Sequence, residues 1–269
     1  MSLLKIPGMQ WRWAALKNGL QEDAAYRIEF LLGLLGSAAV PAAIQIVLWY
    51  AIFKVGGRTE VAGLGYSDLV AYTLVSTLFT QVRGGDHDFD LQEMIRTGGL
   101  SNYLLRPVSV VEFVYLRGAG GRFFTAGVCL VIGALVMGLL GMDPTRLIGA
   151  MLLAIIGNIL HYQIGAVLAT TAFLWEEAYS VLMVKNMLVQ LLSGELLPLT
   201  LFPEKWSWIW KSTPFYLYVF GPTQYALGKW STLELLHALG VGGLWMLGIW
   251  ALIRITWGLG IRNYSSLGN

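Results

Sequence analysis

Charged side chains are scarce in this chain. Only 13% of its 269 residues are Asp, Glu, Lys or Arg, about half the share of a typical soluble domain. Hydrophobic residues make up 56% and the mean hydropathy is +0.63, which together indicate a membrane protein. The net charge of +2 is small and its sites are scattered, so we expect no nucleic acid partner.

Residues that often mark a chemical site are equally sparse. Cys129 is the only cysteine, and the histidines His87, His161 and His237 stand far apart, so we expect no intrachain disulfide and no metal cluster. The phosphate-binding pattern G-x-x-x-x-G-K-[ST] does not occur, and the nearest string, GPTQYALGKWS, has the wrong spacing. We therefore predict no catalytic, cofactor-binding or metal-binding residue in this chain, and ATP hydrolysis would need a separate polypeptide.

Long apolar runs are what the chain has instead. A bilayer core of about 30 Å takes roughly 20 helical residues to cross, and the runs lack the alternation of barrel strands. We predict an all-α fold, a single polytopic transmembrane domain over residues 1–269 with six transmembrane helices. The second segment is short and polar, so we expect it to face protein or water. The predicted segments are Phe30–Phe53, Leu69–Val82, Phe123–Leu140, Leu147–Leu174, Val181–Leu197 and Leu235–Trp257.

Basic residues fall unevenly on the two sides of this predicted bundle. With both termini in the cytoplasm, twelve Lys and Arg lie on the inner side and six on the outer side, as the positive-inside rule requires. We therefore predict that the N-terminus and the C-terminus are cytoplasmic. The inner residues are Lys5, Arg12, Lys17, Arg27, Arg83, Arg96, Arg106, Arg117, Arg122, Lys185, Arg254 and Arg262, and the outer ones are Lys54, Arg58, Arg146, Lys205, Lys211 and Lys229.

Residues 1–28 precede the first segment and mix polar with apolar side chains. Met9, Trp13, Leu16 and Leu20 recur at helical spacing, which predicts an amphipathic helix lying in the inner membrane interface. A helix packed on the cytoplasmic end of the bundle is the alternative interpretation.

The cytoplasmic region 86–117 contains the string HDFDLQEMIRTGG, which has the marks of a short helix. Acidic residues lie near its start, Asp90 and Glu93 have capping-box spacing, and Gly98 suits a left-handed C-terminal cap. Pro107 is then expected to begin a second interfacial helix that ends near Leu116.

The short helix carries an apolar stripe of Leu91, Met94 and Ile95. A helix of this length is unstable alone in water, so the stripe needs a partner surface. Either the protein's own bundle or another protein would supply it.

The outer region 199–230 is rich in aromatic residues and is broken by prolines. Tryptophan and tyrosine favour the membrane–water interface. We predict re-entrant short helices that dip into the outer leaflet and cap the pathway, with Trp206 and Trp208 as candidate gate residues. A plain interfacial anchor is the alternative, and the two interpretations are compatible.

Polar residues interrupt two of the predicted spans. Asn158 and His161 share one face of the fourth segment, where the cost of exposure to lipid forces them toward the bundle. They would line a pathway or form interhelical hydrogen bonds. Glu195 lies near the outer end of the fifth segment, where it would pair with Lys205 or Lys211 or meet a cationic substrate.

Three strings occur in order among the apolar spans: IRTGGLSNYLLRPVS, SGELLPLTLFPEKW and TPFYLYVFGPTQY. In this order they resemble the permease subunits of ATP-binding-cassette exporters of the second type, the ABC-2-like permeases. The resemblance covers nearly the whole chain and rests on hydropathy order and loose motifs. It implies that the first cytoplasmic loop carries a coupling helix that docks on an ATPase subunit. By position, this role falls on Leu91, Met94, Ile95, Arg96 and Gly98.

The resemblance also implies an assembly and a location. Two permeases, identical or paralogous, would work with two ATPase subunits that bind ATP and Mg, in a bacterial inner membrane among its lipids. The chain would then be half of the translocation pathway of an exporter and no enzyme itself. The alternatives are a membrane-embedded lipid-modifying enzyme that uses His161 or Glu195, and a membrane assembly subunit that transports nothing.

Overall fold

The computed structural model describes residues 7–25, 27–85, 87–104, 108–175, 178–262 and 264, with side chains except at 7–9, 22–25 and 27–31. Within these ranges the repeating secondary structure is entirely helical, which confirms the predicted all-α class. The described α-helices are α1 (Pro7–Ala25), α2 (Arg27–Tyr50), α3 (Tyr66–Arg83), α4 (His87–Arg96), α5 (Ser101–Leu104), α6 (Val110–Leu139), α7 (Arg146–Ala169), α8 (Ala178–Leu192), α9 (Ser207–Lys211), α10 (Phe220–Ala226) and α11 (Thr232–Gly260).

Four helices are long and apolar enough to cross a membrane. Among the described residues these spans are Leu32–Val55, Val110–Leu139, Arg146–Phe173 and Thr232–Gly260. They correspond to the first, third, fourth and sixth predicted segments. The span Leu32–Val55 includes a π-helical turn, Ala51–Val55, after α2. The span Arg146–Phe173 includes a 3₁₀ turn, Thr170–Phe173, after α7.

The second and fifth predicted segments are shorter helices, α3 and α8. Half of the residues of α3 are buried by neighbouring helices, which confirms that this polar segment faces protein. Its hydroxyl groups bond to its own backbone, as in the 2.8 Å bond from Thr73 to the Leu69 carbonyl, and Trp49 of α2 donates to Thr73. Helix α3 has 18 residues and helix α8 has 15, the latter about 22 Å long at 1.5 Å per residue. Neither helix is both long and apolar enough to be a candidate span.

Helix α1 packs lengthwise on α6 through small residues rather than through the predicted apolar stripe. Ala15 and Gly19 are buried, and a Cβ on Gly120 would meet the backbone of Leu16 and Leu20. Trp13, by contrast, is 68% exposed. The alternative interpretation, a helix packed on the bundle, therefore describes the inner face of α1, while an interfacial position of its outer face stays a prediction.

Helix α6 begins earlier than the third predicted segment. The predicted start of an interfacial helix, Pro107, lies outside the described residues. From Val110 the helix runs without a break through Leu116 to Leu139, and the Ser109 hydroxyl caps its first turn by accepting from the Glu112 N–H. The expected separate helix and the third span are thus one element.

The outer region consists of short helical pieces, as the prolines predict. Turns of 3₁₀ helix at Leu199–Leu201, Glu204–Trp206 and Phe215–Leu217 alternate with α9 and α10. Every residue of α10 is buried, and this helix lies along the first half of α7, where a Cβ on Gly149 would touch the Tyr225 ring. The part of the outer region that forms α10 is therefore built into the bundle and not laid on its surface.

Candidate functional site

Helix α4 (His87–Arg96) is the short helix that the sequence predicts within the region 86–117. It packs against α6, α7 and α8 and against the 3₁₀ turn after α7. Its predicted C-terminal cap is confirmed, because Gly98 has a φ of 80°, the left-handed conformation that favours glycine. The predicted capping box is wrong: the helix begins at His87, and Glu93 pairs with Arg96 at 2.9 Å.

The apolar stripe of α4 is turned into the protein's own bundle. Leu91 is 0% exposed and Ile95 is 3% exposed, whereas Met94 is half-buried. Of the two partner surfaces that the sequence left open, the protein's own bundle therefore covers Leu91 and Ile95. Their burial supplies the partner surface that so short a helix needs.

A buried ion pair fixes α4 in place. The Asp88 carboxylate accepts a hydrogen bond from the Lys185 ammonium of α8, and both side chains are at most 2% exposed. Asp88 approaches α7 so closely that a Cβ on Gly165 would overlap its carboxylate. Breaking such a buried pair on one side is costly, because the remaining charge stays in a medium of low polarity.

The opposite face of α4 is open. Asp90, Glu93, Arg96 and Thr97 are exposed. Beside this face lies a groove of about 760 Å³ between α4, α6 and α1, which Met94 helps to line. Helix α4 thus has one face seated in the bundle and one face available to a partner.

Glu195 pairs with a residue of α3 and not with an outer lysine. The Arg83 guanidinium donates to its carboxylate at 2.9 Å, and the two side chains are 12% and 20% exposed. The expected pairing with Lys205 or Lys211 is therefore wrong. The chain turns back into the bundle after α8, where the Tyr72 hydroxyl donates to the Gly194 carbonyl at 2.7 Å, so Glu195 lies deeper than its place in the sequence indicates.

Asn158 joins the same cluster from α7. Its side-chain amide donates to the Arg83 carbonyl at 3.0 Å, which satisfies the last turn of α3, and its oxygen accepts from the Tyr115 hydroxyl at 3.1 Å. Two candidate pathway residues, Asn158 and Glu195, are therefore linked through Arg83. In this arrangement Asn158 forms interhelical hydrogen bonds, one of the two interpretations left open by the sequence.

His161 lies one turn along α7 from Asn158 and contacts the outer region. Its ring meets the Tyr218 ring edge-on, with 5.8 Å between centroids. Tyr218 fits there because α7 has glycine at position 157, where a Cβ would come within 2.8 Å of the Tyr218 Cα. The outer region thus reaches the middle of α7.

Several polar atoms in this cluster are buried without a partner. In the part of the chain that the structure describes, Arg83 Nε, His161 Nδ1, Ser193 Oγ and Tyr218 Oη make no hydrogen bond. Buried polar atoms are nearly always satisfied by protein or by water. A concentration of unsatisfied atoms around one ion pair marks this polar cluster, defined here as Arg83, Asn158, His161, Glu195 and Tyr218, as the candidate pathway site.

The two candidate gate tryptophans lie apart from the polar cluster. Trp206 and Trp208 are 49% and 67% exposed, whereas Trp210 is buried against Phe202. Exposed tryptophan beside a membrane-spanning bundle suits the headgroup level. Their geometry is that of the interfacial anchor, and a gating role for them stays a prediction.

Sequence reasoning missed Lys185, Asp88, Arg83 and Tyr218 as parts of these sites. One signal was present: Lys185 stands within an apolar segment, where a charge must find a partner. The identity of that partner was hidden, because Asp88 is 97 positions away along the chain. Tyr218 carried no signal among the other aromatic residues of its region.

The profile of the ABC-2 family transporter protein matches residues 39–268, which is most of the chain. The protein belongs to the ABC-2 transporter family. No curated protein and no solved structure shows a significant match.

Membership fixes the coarse role of the chain. An ABC-2 family member of this kind is a membrane component of an ABC transporter, a permease subunit and not itself an enzyme. It also implies an ABC ATPase as partner and a membrane location. The predicted resemblance to ABC-2 permeases is confirmed, and the lipid-modifying enzyme has no support from it.

Proposed function

We propose that this ABC-2 protein is the transmembrane subunit of an ATP-driven exporter and that a separate ATPase drives it through α4. Two permeases, identical or paralogous, would form the pathway together and bind two ATPase subunits that hold ATP and Mg. The proposed setting is a bacterial inner membrane with both termini in the cytoplasm, in accord with the excess of basic residues on that side.

The observation that carries the proposal is that one face of α4 is buried in the bundle and the opposite face is exposed. Leu91 and Ile95 are buried in the bundle, while Glu93 and Arg96 are exposed on the opposite face. An element that passes a displacement from one subunit to another needs one face on each. Helix α4 meets this requirement, although Leu91 and Ile95 of its apolar stripe contact the bundle and only Met94 is left for the ATPase.

Two ion pairs connect α4 with the proposed pathway. Asp88 of α4 forms an ion pair with Lys185 of α8. The segment after α8 contains Glu195, which forms an ion pair with Arg83 at the end of α3. A displacement of α4 would therefore be transmitted to α8 through the first pair, and from the segment after α8 to the polar cluster through the second pair. Coupling of this kind needs a continuous chain of packed or paired groups with alternative arrangements, and these four residues supply the chain.

The ATPase contact is expected on the exposed face of α4 and in the groove beside it. Met94 lines that groove together with Asp90, Glu93, Arg117 and Arg122, which offers an apolar anchor inside a rim that carries both signs of charge. Such a surface suits an ATPase groove with an apolar floor and an edge that also carries both signs of charge.

Alanine variants on the two faces of α4 separate coupling from folding. We expect the Glu93→Ala, Met94→Ala and Arg96→Ala triple variant to weaken capture of the cognate ATPase roughly tenfold or more. Because Met94 is half-buried, the triple variant should lower the melting temperature of the permease only slightly. Leu91→Ala should instead lower the melting temperature, because truncating a buried leucine costs about 2–4 kcal/mol.

The matched control is Lys54→Ala, an exposed charge at the far end of the first span, which should change neither quantity. Full ATPase capture by the triple variant would contradict the assigned contact face. The readouts are pull-down of the ATPase and thermal melts of the permease in the same detergent.

A further inference from the structure

A second cavity lies on another side of the bundle from the groove beside α4. It has a volume of about 510 Å³ and is lined by residues of α6, α7 and α11. Its wall is mainly aromatic and aliphatic, with Trp250 and Trp257 on α11 and Tyr162 on α7. Neither the proposed ATPase contact nor the polar cluster accounts for this cavity.

The mouth of the cavity faces the surroundings of the bundle. Trp250 is 48% exposed and Leu104 is 42% exposed, and the neighbouring Leu247 and Ile255 on α11 are exposed as well. In a helix that crosses a membrane, exposed aliphatic side chains contact lipid. The cavity therefore opens sideways into the membrane.

The depth of the cavity follows from the length of α11. The Ser231 hydroxyl and the Glu234 carboxylate form a capping box at the start of this helix. Because both groups are polar and exposed, we place them at one membrane boundary. A hydrocarbon core takes roughly 20 helical residues, so a span that begins near Leu235 ends near Arg254. Arg254 thus lies at the level where lipid phosphates are found.

In the part of the chain that the structure describes, Arg254 carries the unpaired charge at the mouth of the cavity. The Arg254 guanidinium lies over the Trp250 ring at 4.7 Å from its centroid, and no carboxylate of the described residues pairs with it. Glu112, which also lines the cavity, is occupied by the Arg12 guanidinium through two hydrogen bonds, the shorter being 2.6 Å. An arginine with a free fork of donors is a site for a phosphate group.

A second polar atom of the cavity wall also lacks a partner. Gln163 lines the cavity, and its side-chain oxygen is buried with no hydrogen bond in the described part of the protein. It can only accept, so it requires a donor such as a hydroxyl group. An occupant with a phosphate, a hydroxyl and an apolar tail would satisfy the arginine, the glutamine and the aromatic wall together.

We propose that this cavity binds one anionic phospholipid from the membrane, with its phosphate on Arg254 and an acyl chain against Trp250. The site does not depend on the proposed export function, because it uses neither the exposed face of α4 nor the polar cluster. Phosphatidylglycerol carries the required phosphate, hydroxyl groups and acyl chains, and it is the probe for the test.

The chain offers a matched pair of glycines on α11 for this test. A Cβ on Gly258 or on Gly248 meets no atom within 4 Å, but only Gly258 lines the cavity. Gly258→Leu therefore fills the cavity without a clash, and leucine also has the better helix propensity. Gly248→Leu is the control with the same chemistry on the lipid-facing surface.

The charge is tested in the same way. Arg254→Gln removes the guanidinium at the mouth, and Arg262→Gln removes an exposed guanidinium from the same end of the chain outside the cavity. The full-length protein is purified in detergent and titrated with phosphatidylglycerol or phosphatidylcholine, and bound lipid is counted by native mass spectrometry.

We expect one tightly bound phosphatidylglycerol on the wild type, on Gly248→Leu and on Arg262→Gln. Gly258→Leu should abolish this adduct, and Arg254→Gln should weaken it roughly tenfold, in keeping with the loss of a charge-assisted hydrogen bond. Equal adducts on Gly258→Leu and on the wild type would overturn the site. Equal affinity for phosphatidylcholine, with no effect of Arg254→Gln, would overturn the anionic headgroup.

Discussion

Among the described residues, two ion pairs in the interior of the bundle join segments that are far apart in the sequence. Arg83 pairs with Glu195, and Asp88 pairs with Lys185. Removing an ion from water costs several kcal/mol, which mutual attraction repays only with good geometry. Such pairs contribute little net stability, but they specify which helix segments lie together. At the scale of residues, we propose that they are the connections that the transport cycle breaks and reforms.

Glu195→Gln should lower both stability and transport. The variant leaves the Arg83 guanidinium without its counter-ion at a site that is only 12% exposed, at an expected cost of about 2–4 kcal/mol. The double variant Arg83→Gln, Glu195→Gln removes both charges and should regain most of the lost stability. Thermal melts of the three variants measure this part of the prediction.

Transport by the double variant then separates a structural pair from a functional one. With folding restored, we expect export to remain impaired, because the polar cluster has lost the contact that links α3 to the segment after α8. A double variant that is as stable and as active as the wild type would reduce the pair to a structural feature.

Among the elements, α4 shows how a short helix obtains stability from the bundle. Gly165 on α7 provides the space into which Asp88 fits, and the buried pair with Lys185 joins the helix to α8. The close approach of α4 to α7 therefore depends on a missing side chain as much as on the ion pair.

Gly165→Ala should displace α4 from its seat. The new Cβ would overlap the Asp88 carboxylate, and the packed neighbours leave it no room. We expect a loss of about 1–3 kcal/mol of stability and weaker capture of the ATPase. Gly127→Ala on α6 is the control, because a Cβ there meets nothing within 4 Å. Unchanged melting and capture for Gly165→Ala would show that α4 is not seated on α7.

The elements also show how far the sequence alone could lead. The bounds of α4 and its cap at Gly98 follow from local signals, because the residues that cap a helix and the acidic residues of its first turn lie within a few positions of its ends. The direction of its apolar stripe does not, because periodicity identifies an apolar face without naming what covers it. The depth of Glu195 was missed for a similar reason: the chain reverses after α8 at a glycine, Gly194, with a φ of 81°.

At the scale of the whole molecule, the directions of the six longer apolar or buried helices alternate along the chain. Helices α2 and α3 are antiparallel, because Trp49 bonds to Thr73 while Ser37 bonds to Gln81. Helices α7 and α11 are parallel: Gly149 approaches Leu235, and Phe173 approaches Gly260. Alternation of this kind is what six successive crossings would produce, although only four of these helices are long and apolar enough to span unaided.

Helix α3 can cross without being strongly apolar, because protein and not lipid surrounds it. Its exposure to lipid is small, since Leu69, Val75, Phe79 and other residues around it are buried. Backbone and side-chain groups that face protein escape the penalty that lipid imposes. Helix α8 is helped by the turn that follows it, which returns into the bundle at Gly194.

Labelling of single cysteines from either side of the membrane decides between six crossings and four. Cys129 is first replaced by Ala, and cysteine is then introduced at Arg58, Thr97 or Asp143, which are all exposed in loops or at a helix end. With six crossings and an inner N-terminus, we expect an impermeant thiol reagent to label positions 58 and 143 from outside and position 97 only after permeabilisation. If α3 and α8 do not cross, position 97 is reached from outside and position 143 is not, while position 58 is unchanged. The inverted pattern at positions 97 and 143 would also remove α4 from the cytoplasm and thereby end its assignment as the ATPase contact.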